Sequence, residues 1–330
     1  MTNEGLKVKE LYPSIKVKRR KPRNLKSEDH KLFAHEYERS FPPTNIYRFD
    51  NVYVDFYGRV FNKWKTFFGL NRIKSARFIF FRQLTKKTIA IHEPVILCFD
   101  DWHYGYYHWI ADTLTRLVEL ESIYKDYSII LPNFYLGYHI ESLECFGKKK
   151  IIYIEKGYKY KFRRVISSDL IAPMGNFNKL NINKLKHKIH DHYSSKNLVQ
   201  YHWQNIFVSR AKAKSRKLEN ESEVSWILEN YGFKTIYFED YTFSEQFMIM
   251  QNCKNLIVLH GAGLTNMIFS KTKLNVIEIR LNNDMKNNCY FALSSALGHD
   301  YYYLQVNEID KREYYLDIKD LSYLLDQLIY

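Results

Sequence analysis

The chain has 330 residues, of which 46% are hydrophobic, so it can bury one large core or two ordinary ones and is not a disordered protein. Its apolar runs are shorter than the roughly 20 residues that span a bilayer, and its N-terminal segment lacks a signal-peptide-like stretch. The 50 basic and 36 acidic side chains give a net charge of +14, which favours anionic partners such as phosphorylated small molecules, nucleic acid or acidic lipid.

Residues 1–44 are predicted to form a flexible basic arm, interrupted by Pro13 and Pro22. Its cations cluster in one short stretch: Lys16, Lys18, Arg19, Arg20, Lys21, Arg23 and Lys26. The arm is either a solvated tail or a peripheral contact with an anionic membrane, where each basic residue contributes about 1 kcal/mol. The four dispersed cysteines predict buried thiols in a reducing compartment. We therefore expect a cytoplasmic protein, with the inner face of the plasma membrane as a possible docking surface.

Residues 45–190 are predicted to form a first domain that begins with a β-rich stretch. Its strands are NVYVDFYG, RFIFF and PVILCF, which alternate or run apolar between glycine, lysine and proline. Apolar residues at helical spacing follow over 107–122, then a strand at SIILP, a helix near 138–146 and strands at IIYIE and RRVISS. A polar helix over 180–200 is expected to connect this domain to the next.

Residues 191–330 are predicted to form a second domain in which strands alternate with helices. The strands are NIFVSR, TIYFE, NLIVLH, NVIEIR and YYYLQV. Two of the helices begin with capping-box spacing, Asn220 with Glu223 and Thr242 with Glu245. An amphipathic helix, DIKDLSYLLDQLIY, ends the chain. This pattern indicates a doubly wound parallel sheet, which binds ligands beyond the carboxyl ends of its strands.

The strand NLIVLH ends at His260 and leads directly into the glycine-containing segment GAGLTN. Glycine lets the backbone approach a ligand, and a helix N-terminus offers free N–H groups with about half a positive charge. A diphosphate bound by His260, Gly261, Ala262 and Gly263 fits this pattern. The alternative is an ordinary tight strand–helix turn with a polar cap from Thr265 or Asn266.

Two arginines in the same half of the chain strengthen the diphosphate hypothesis. Arg210 ends its strand and Arg216 lies in the loop that follows. The planar guanidinium group binds phosphate oxygens in bidentate fashion and stays charged. Glu278, at the end of strand NVIEI, either accepts hydrogen bonds from a ribose or is a structural ion-pair partner.

His108 and Asp112 are four residues apart on a predicted helix, so their side chains share one face. A histidine that titrates near neutral pH suits general base catalysis, and a carboxylate can orient it. Asp112 as the base with His108 as a positioning donor remains open, as does a simple surface pair. Asp100-Asp101, just upstream, is interpreted as a loop or acceptor contact.

These motifs together resemble glycosyltransferase family 61, which includes plant xylan arabinosyl- and xylosyltransferases, animal O-linked N-acetylglucosaminyltransferases and bacterial capsule and lipopolysaccharide enzymes. The resemblance covers about 100–280 and is carried by YYHWIADTLTRL, Ser209-Arg210, Arg216, Asn220-Glu221, Gly232-Phe233, Glu245-Gln246, HGAGLTN and Ile277-Glu278. It implies an α/β fold of the GT-B type, with two Rossmann-like domains facing a central cleft, the first on the acceptor side and the second binding the donor.

The resemblance further implies inversion at the anomeric carbon, UDP-linked donors, no obligatory metal and no cofactor beyond the nucleotide-sugar substrate. His108 and Asp112 would be catalytic. The residues expected to bind substrate are Arg210, Arg216, Asn220, Glu221, Glu245, His260, Gly261, Ala262, Gly263, Asn266 and Glu278. The acceptor would be a glycan or lipid-linked glycan in surface polysaccharide synthesis.

Three alternatives make different predictions. A Rossmann oxidoreductase would carry GxGxxG after its first strand, which this sequence lacks. A basic nucleic-acid-binding protein would bind DNA or RNA with steep salt dependence, but helix-turn-helix, zinc and RNP patterns are missing from the sequence. A catalytically inactive relative would bind nucleotide-sugar without turnover. We expect no nucleic-acid partner.

Overall fold

The structure is a computed structural model that describes residues 6–62, 85–133, 135–310 and 313–329. The predicted strand RFIFF lies outside the described residues. The chain divides into two compact units, one comprising residues through Lys16 together with Ser40–Lys188, and the other Val17–Arg39 together with Ile189–Tyr330. The second unit resumes at Ile189, within the helix Lys179–Tyr193, which lies in the segment predicted to connect two domains.

The described elements follow the chain in a largely alternating order. The strands are β1 (Leu6–Tyr12), β2 (Ile15–Lys18), β3 (Glu38–Phe41), β4 (Thr44–Asp55), β5 (Val60–Phe61), β6 (Thr88–Ile91), β7 (Val95–Ile96), β8 (Ser128–Pro132), β9 (Ile151–Ile154), β10 (Lys159–Ser168), β11 (Asn205–Val208), β12 (Lys217–Leu218), β13 (Lys234–Ile236), β14 (Asn255–Leu259), β15 (Asn275–Leu281), β16 (Asp300–Asp310) and β17 (Glu313–Tyr315). The α-helices are α1 (His30–Phe33), α2 (Tyr106–His108), α3 (Thr115–Ile123), α4 (Gly137–Leu143), α5 (Lys179–Tyr193), α6 (Glu221–Asn230), α7 (Phe243–Gln251), α8 (Cys289–Leu297) and α9 (Ile318–Ile329). A π-helix, Trp109–Leu114, joins α2 to α3, and a 3-10 helix, Ala262–Phe269, follows β14.

The first unit contains a mixed sheet, only part of which is parallel, whereas the family resemblance implies a Rossmann-like domain. Its strand order is β1-β4-β10-β7-β8-β9, with β5 beside β4 and β6 beside β10. The strands β10, β7, β8 and β9 are parallel, whereas β4 runs antiparallel to both β10 and β1. Buried and exposed residues mix along β4, while β8 is buried throughout. That contrast is expected, because an antiparallel strand can leave one face in water and a parallel strand is covered on both.

The second unit contains the parallel sheet that the alternation of strands and helices predicts. Its order is β12-β17-β16-β15-β14-β11-β13, and β13, β11, β14, β15 and β16 run parallel. The first parallel strand along the chain, β11, therefore lies between the second, β13, and the third, β14. This is the 2-1-3-4-5 order of doubly wound folds, and its topological switch point lies between β11 and β14.

Residues 17–39 pack on the second unit, so the prediction of a flexible arm over 1–44 is wrong for the described part. The Phe33 ring lies 5.2 Å from Phe291, and Tyr303 donates a 2.6 Å hydrogen bond to Asp29. Four of the seven clustered cations form ion pairs in this unit: Lys18 with Glu38 (3.1 Å), Arg19 with Glu36 (2.6 Å), Arg23 with Asp300 (2.8 Å) and Lys26 with Asp320 (3.8 Å). Residues 6–12 form β1 instead of a tail. Two of these carboxylates, Asp300 and Asp320, lie almost 300 residues further along the chain, so the sequence could not indicate those pairs.

Within the described ranges, no helix combines the length and the apolar character that a membrane span requires. The four cysteines are free thiols, and Cys98, Cys145 and Cys253 are buried as predicted. Burial raises the pKa of Cys98 and of Cys145 to about 12, so both remain protonated at neutral pH.

Candidate active site

The switch point of the second unit brings the predicted phosphate-binding residues to one edge of its sheet. Ser209 and Arg210 follow β11, and His260 and Gly261 follow the adjacent strand β14. The chain leaves β11 toward its neighbour β13 on one side and leaves β14 toward β15 on the other side. This divergence leaves a crevice beyond the carboxyl ends of β11 and β14. Residues distant in sequence therefore meet because of strand order alone.

The Arg210 guanidinium lies directly against the backbone of Gly261. A Cβ atom on Gly261 would overlap Nη1 of Arg210 and would lie 3.0 Å from its Cζ. The backbone at Gly261 is extended, with φ at 166°, so any residue could adopt its conformation. Glycine therefore matters here for space, because it lets Arg210 keep this position against the backbone.

The loop after β11 holds the Arg210 side chain in place. Its Nε donates to the carbonyl of Arg216 (3.2 Å) and its Nη2 to the carbonyl of Ser215 (3.3 Å). Among the described residues, Nη1 has no hydrogen-bond partner. Burial lowers the pKa of Arg210, and the neighbouring Arg216 lowers it further. Two guanidinium groups that repel each other favour an anion between them.

Arg216 adopts an unusual backbone conformation, with φ at +61°. This left-handed region costs a non-glycine residue about 1–3 kcal/mol and occurs often at functional sites. The conformation turns the carbonyl of Arg216 toward Nε of Arg210, so the strain accompanies the placement of the first arginine.

His260 is oriented by a buried carboxylate at the same edge. Its Nδ1 donates to Oε1 of Glu278, and the other oxygen, Oε2, accepts a 2.5 Å hydrogen bond from Tyr301. Burial alone would raise the pKa of Glu278, but His260, Arg280 and the Tyr301 hydroxyl overcome it and hold that pKa below its ordinary value. Because Glu278 accepts from Nδ1, the second ring nitrogen of His260 is left for a ligand.

Glu278 therefore does not bind a ribose. It is fully buried, and its two oxygens are used by His260 and Tyr301. Of the two interpretations that the sequence leaves open, the structure supports the ion-pair partner, which fixes the tautomer and the orientation of His260.

The other two residues of the glycine segment are Ala262 and Gly263, whose backbone amides lie at the sheet edge, while the side-chain position of Gly263 faces the core. A Cβ atom on Gly263 would lie in ordinary contact with Phe238 (3.4 Å), Val208 (3.5 Å) and Val258 (3.6 Å). Gly263 thus packs the Ala262–Phe269 helix onto the strands, and its side-chain position faces the core. Its amide and that of Ala262 are in the first turn, where backbone N–H groups lack partners within the helix.

Four other predicted ligands have structural partners instead. Asn266 is buried and donates to Oε1 of Gln246 (2.8 Å). Glu245 closes the predicted capping box, accepting from the backbone N–H of Thr242 (2.8 Å). These two contacts fix α7 and the 3-10 helix.

Asn220 and Glu221 hold the start of α6. Asn220 exchanges hydrogen bonds with the backbone of Leu316 (2.9 and 3.2 Å) and makes no side-chain cap, so the capping box predicted there is wrong. Glu221 accepts a hydrogen bond from the Ser209 hydroxyl. It therefore supports the strand end that precedes Arg210 and is a positioning residue.

Sequence reasoning missed Tyr290, at the start of α8. It is buried, its ring lies 5.2 Å from that of His260, and burial raises its pKa well above the ordinary value. It also interacts electrostatically with Arg210 and Arg216. The sequence signal that could have indicated Tyr290 is its position in the segment after strand β15, because the segments that follow the parallel strands converge on the switch point.

In the first unit, His108 and Asp112 share one helical face as predicted. Nδ1 of His108 lies 2.7 Å from Oδ2 of Asp112, and the two side chains are 28% and 12% exposed. The segment that carries Asp112 is a π-helix rather than the predicted α-helix. Such segments are rare and often occur at functional sites. The ring of Trp102 lies 5.4 Å from that of His108.

A buried arginine supports this π-helix. Nε of Arg116 donates to the carbonyl of Asp112 (3.0 Å), and Nη2 lies 3.7 Å from Oδ2 of Asp100. Arg116 is fully buried and Asp100 is 7% exposed. Asp100 also accepts from the backbone N–H of Trp102 (2.9 Å), so it organises the loop before His108, in line with its interpretation as a loop residue.

Comparison with known proteins identifies a family for the chain. The family model for glycosyltransferase 61 matches residues 106–277, just over half of the chain. The match begins two residues before His108 and includes Asp112, Arg210, Arg216 and the glycine segment. A comparison with curated proteins gave no match. The chain therefore belongs to the glycosyltransferase 61 family and is a glycosyltransferase with an α/β fold.

Proposed function

We propose that the chain is an inverting glycosyltransferase that takes a sugar from a UDP-linked donor and transfers it to a glycan or glycolipid acceptor in surface polysaccharide synthesis. The observation that carries the proposal is the convergence of Arg210, Arg216 and Gly261 at the switch point. The UDP nucleotide and the polysaccharide setting rest on the family resemblance.

The second unit would bind the nucleoside diphosphate. Arg210 presents Nη1 beside a glycine backbone, and Arg216 adds a second positive charge close by. Both would offset the charge that grows on the diphosphate as the sugar leaves, which is electrostatic stabilisation of the transition state. His260, with Nδ1 held by Glu278, would donate to the same group from its other nitrogen. Because the arginines supply this charge, the proposal requires no metal ion.

The first unit would supply the base. In neutral His108 the hydrogen bond to Asp112 places the proton on Nδ1 and the lone pair on Nε2. Nε2 would take the proton of an acceptor hydroxyl as that oxygen bonds to the anomeric carbon. The bond from that carbon to the diphosphate oxygen would break, and the nucleoside diphosphate would leave with the electron pair. Attack from the opposite face inverts the configuration.

This mechanism corresponds to a GT-B arrangement, with the acceptor and the base on the first unit and the donor on the second. It assigns separate tasks to the two units, and variants can separate them. Replacement of His108 should strongly slow transfer while donor binding persists, whereas replacement of Arg210 should weaken donor binding itself.

A donor screen tests the proposal. Purified protein is incubated with a panel of nucleotide-sugars, and nucleotide release and thermal stabilisation are measured. We expect one UDP-sugar to be consumed and to raise the melting temperature, and Arg210→Ala to lose both effects. If none of the panel stabilises the protein or is consumed, the proposal is wrong.

A further inference from the structure

The first unit contains a cavity of about 330 Å³ that the mechanism above does not use. Its walls come from the turn after β1, the start of β4 and the segment between β10 and α5. Aromatic and proline residues form much of the lining, including Tyr12, Phe41 and Pro42, and Asp169 and Asn178 are among its polar members. The volume falls within the range of small-molecule sites, which are mostly apolar with a few convergent polar groups.

Asn178 contributes a hydrogen-bond donor whose orientation is fixed. Its Oδ1 accepts from the backbone N–H groups of Leu180 (2.9 Å) and Asn181 (3.3 Å) at the start of α5. The amide oxygen is therefore assigned, and the Nδ2 group forms no hydrogen bond within the described part of the chain. Asn178 is 8% exposed and lines the cavity.

Asp169 contributes an acceptor that is equally well fixed. Its Oδ2 accepts from the backbone N–H of Asn45 (2.9 Å) and from the Tyr47 hydroxyl (3.3 Å). Oδ1 has no partner among the residues that the structure describes. The hydroxyl of Tyr12 is used by Glu119 (2.6 Å), so this residue offers its ring and not its hydroxyl to the cavity.

A fixed amide donor and a fixed carboxylate acceptor beside aromatic and proline surfaces match a sugar ring. A pyranose has hydroxyls that both donate and accept, and it has an apolar face of C–H groups. An alkyl chain would offer no hydrogen-bond partner to Oδ1 of Asp169 or to Nδ2 of Asn178, and leaving polar groups unpaired against hydrocarbon is costly. The lining therefore favours a glycan over the hydrocarbon part of a lipid.

The cavity is also connected to the candidate base. Phe177 precedes Asn178, and its ring packs edge-on against Tyr107, with centroids 6.5 Å apart. Tyr107 is the residue before His108. In addition, Asn181 donates to the carbonyl of Thr115 (2.9 Å), which fixes the start of α5 to the helix that follows Asp112.

We propose that this cavity is a subsite for a pyranose residue of the acceptor glycan, bound by Asn178 and Asp169. The inference rests on the proposed function in that it names the acceptor. It differs from the donor site in position, since every residue that lines the cavity belongs to the first unit.

Two variants of the full-length protein test the subsite. Leu170→Trp fills the cavity, because Leu170 lines it, and Leu180→Trp is the matched control, because Leu180 is 73% exposed on α5. Asn178→Asp removes the free donor while keeping an oxygen that can cap α5, since Asp and Asn are equally good N-caps. Thermal unfolding confirms that each variant is folded.

The first measurement is saturation-transfer NMR with a panel of methyl glycosides and short oligosaccharides. We expect signal from at least one glycoside with the wild type and with Leu180→Trp, its loss with Leu170→Trp, and about tenfold weaker binding with Asn178→Asp. A panel that gives no signal with the wild type, or the same signal with Leu170→Trp, overturns the subsite.

The second measurement separates this inference from the proposed function. UDP binding should be unchanged in Leu170→Trp, because the proposed diphosphate site lies in the second unit and the cavity lies in the first. If the wild type neither binds UDP nor consumes any donor, the proposed function fails even where glycosides bind. If UDP binding is normal but the glycoside signal does not depend on the cavity variants, the subsite alone fails.

Discussion

Gly261→Ala offers a sharp test of the diphosphate site, because it adds one methyl group at the point where Arg210 approaches the backbone. The new Cβ atom would overlap Nη1 of Arg210. Alanine tolerates the extended backbone at this position, so the substitution adds no conformational strain. Arg210 must instead move away.

The expected effect falls on binding rather than on folding. Overpacking costs about 1–3 kcal/mol in a rigid core, but here a guanidinium at the end of a flexible side chain can shift. Replacing glycine by alanine also stabilises by about 0.4–1 kcal/mol through the unfolded state. A charge-assisted hydrogen bond contributes about 1.5–3 kcal/mol, so losing the one from Nη1 should weaken UDP binding by about 10- to 150-fold.

The assay is calorimetric titration of UDP, with thermal unfolding measured in parallel. Gly263→Ala is the matched control, because its Cβ would only make ordinary contacts with Phe238, Val208 and Val258. We expect UDP affinity to fall in Gly261→Ala and to stay close to that of the wild type in Gly263→Ala. Unchanged UDP affinity in Gly261→Ala would refute the assignment of Arg210 to the diphosphate.

Three further predictions concern other groups. Because the pKa of Glu278 is depressed in the folded state, ionised Glu278 stabilises the fold fully above the ordinary value of 4.5, and this stabilisation is lost as the pH falls through the lower folded value. Glu278→Gln should therefore be less stable than the wild type at neutral pH and should lose less stability on acidification. Parallel profiles of stability against pH for the two proteins would contradict this. His108→Ala and Asp112→Asn should each lower kcat by about 10²- to 10⁴-fold with UDP affinity unchanged, as measured by donor turnover and by titration. If both variants turn over the donor at the wild-type rate, neither side chain takes part in the mechanism. Arg116→Met should lower the free energy of unfolding in denaturant by about 3–5 kcal/mol, because it leaves Asp100 buried without its cation. Adding Asp100→Asn should restore part of the lost stability. Full stability of the single variant would show that the ion pair does not stabilise the fold.

The sequence predicted the strands of the second unit well, because buried parallel strands read as apolar runs such as NLIVL. It also placed Arg210 and the glycine segment at strand ends. It could not give the order of the strands in the sheet. That order, with β11 beside β14, brings Arg210 onto Gly261, and it depends on packing between distant segments.

Several polar residues assigned to the ligand also have structural partners that the sequence did not indicate. Glu245, Asn266 and Glu278 are of the types that bind sugars and nucleotides, but the same types cap helices and satisfy buried groups. The sequence offers Glu245 both as the capping-box partner of Thr242 and as a ligand residue, and in the structure its carboxylate forms the cap. Residue type cannot separate these roles, because the deciding partners, such as Tyr301 for Glu278, are far away in the chain.

The first unit was predicted in part. The helical spacing of His108 and Asp112 was sufficient to place their side chains together, since a local pattern sets that contact. The antiparallel pairing of β4 and the docking of residues 17–39 were missed. Both depend on contacts with segments more than a hundred residues away, such as the 2.8 Å ion pair between Arg23 and Asp300.

The most direct test of the account is the position of UDP in a crystal structure of the complex. The account predicts the two phosphorus atoms beside Arg210 and Arg216, with phosphate oxygens within hydrogen-bond distance of Nη1 of Arg210 and of the amides of Ala262 and Gly263. A diphosphate bound elsewhere in the molecule would contradict the central claim, if Nη1 of Arg210 remained packed on Gly261 and made no contact with the diphosphate.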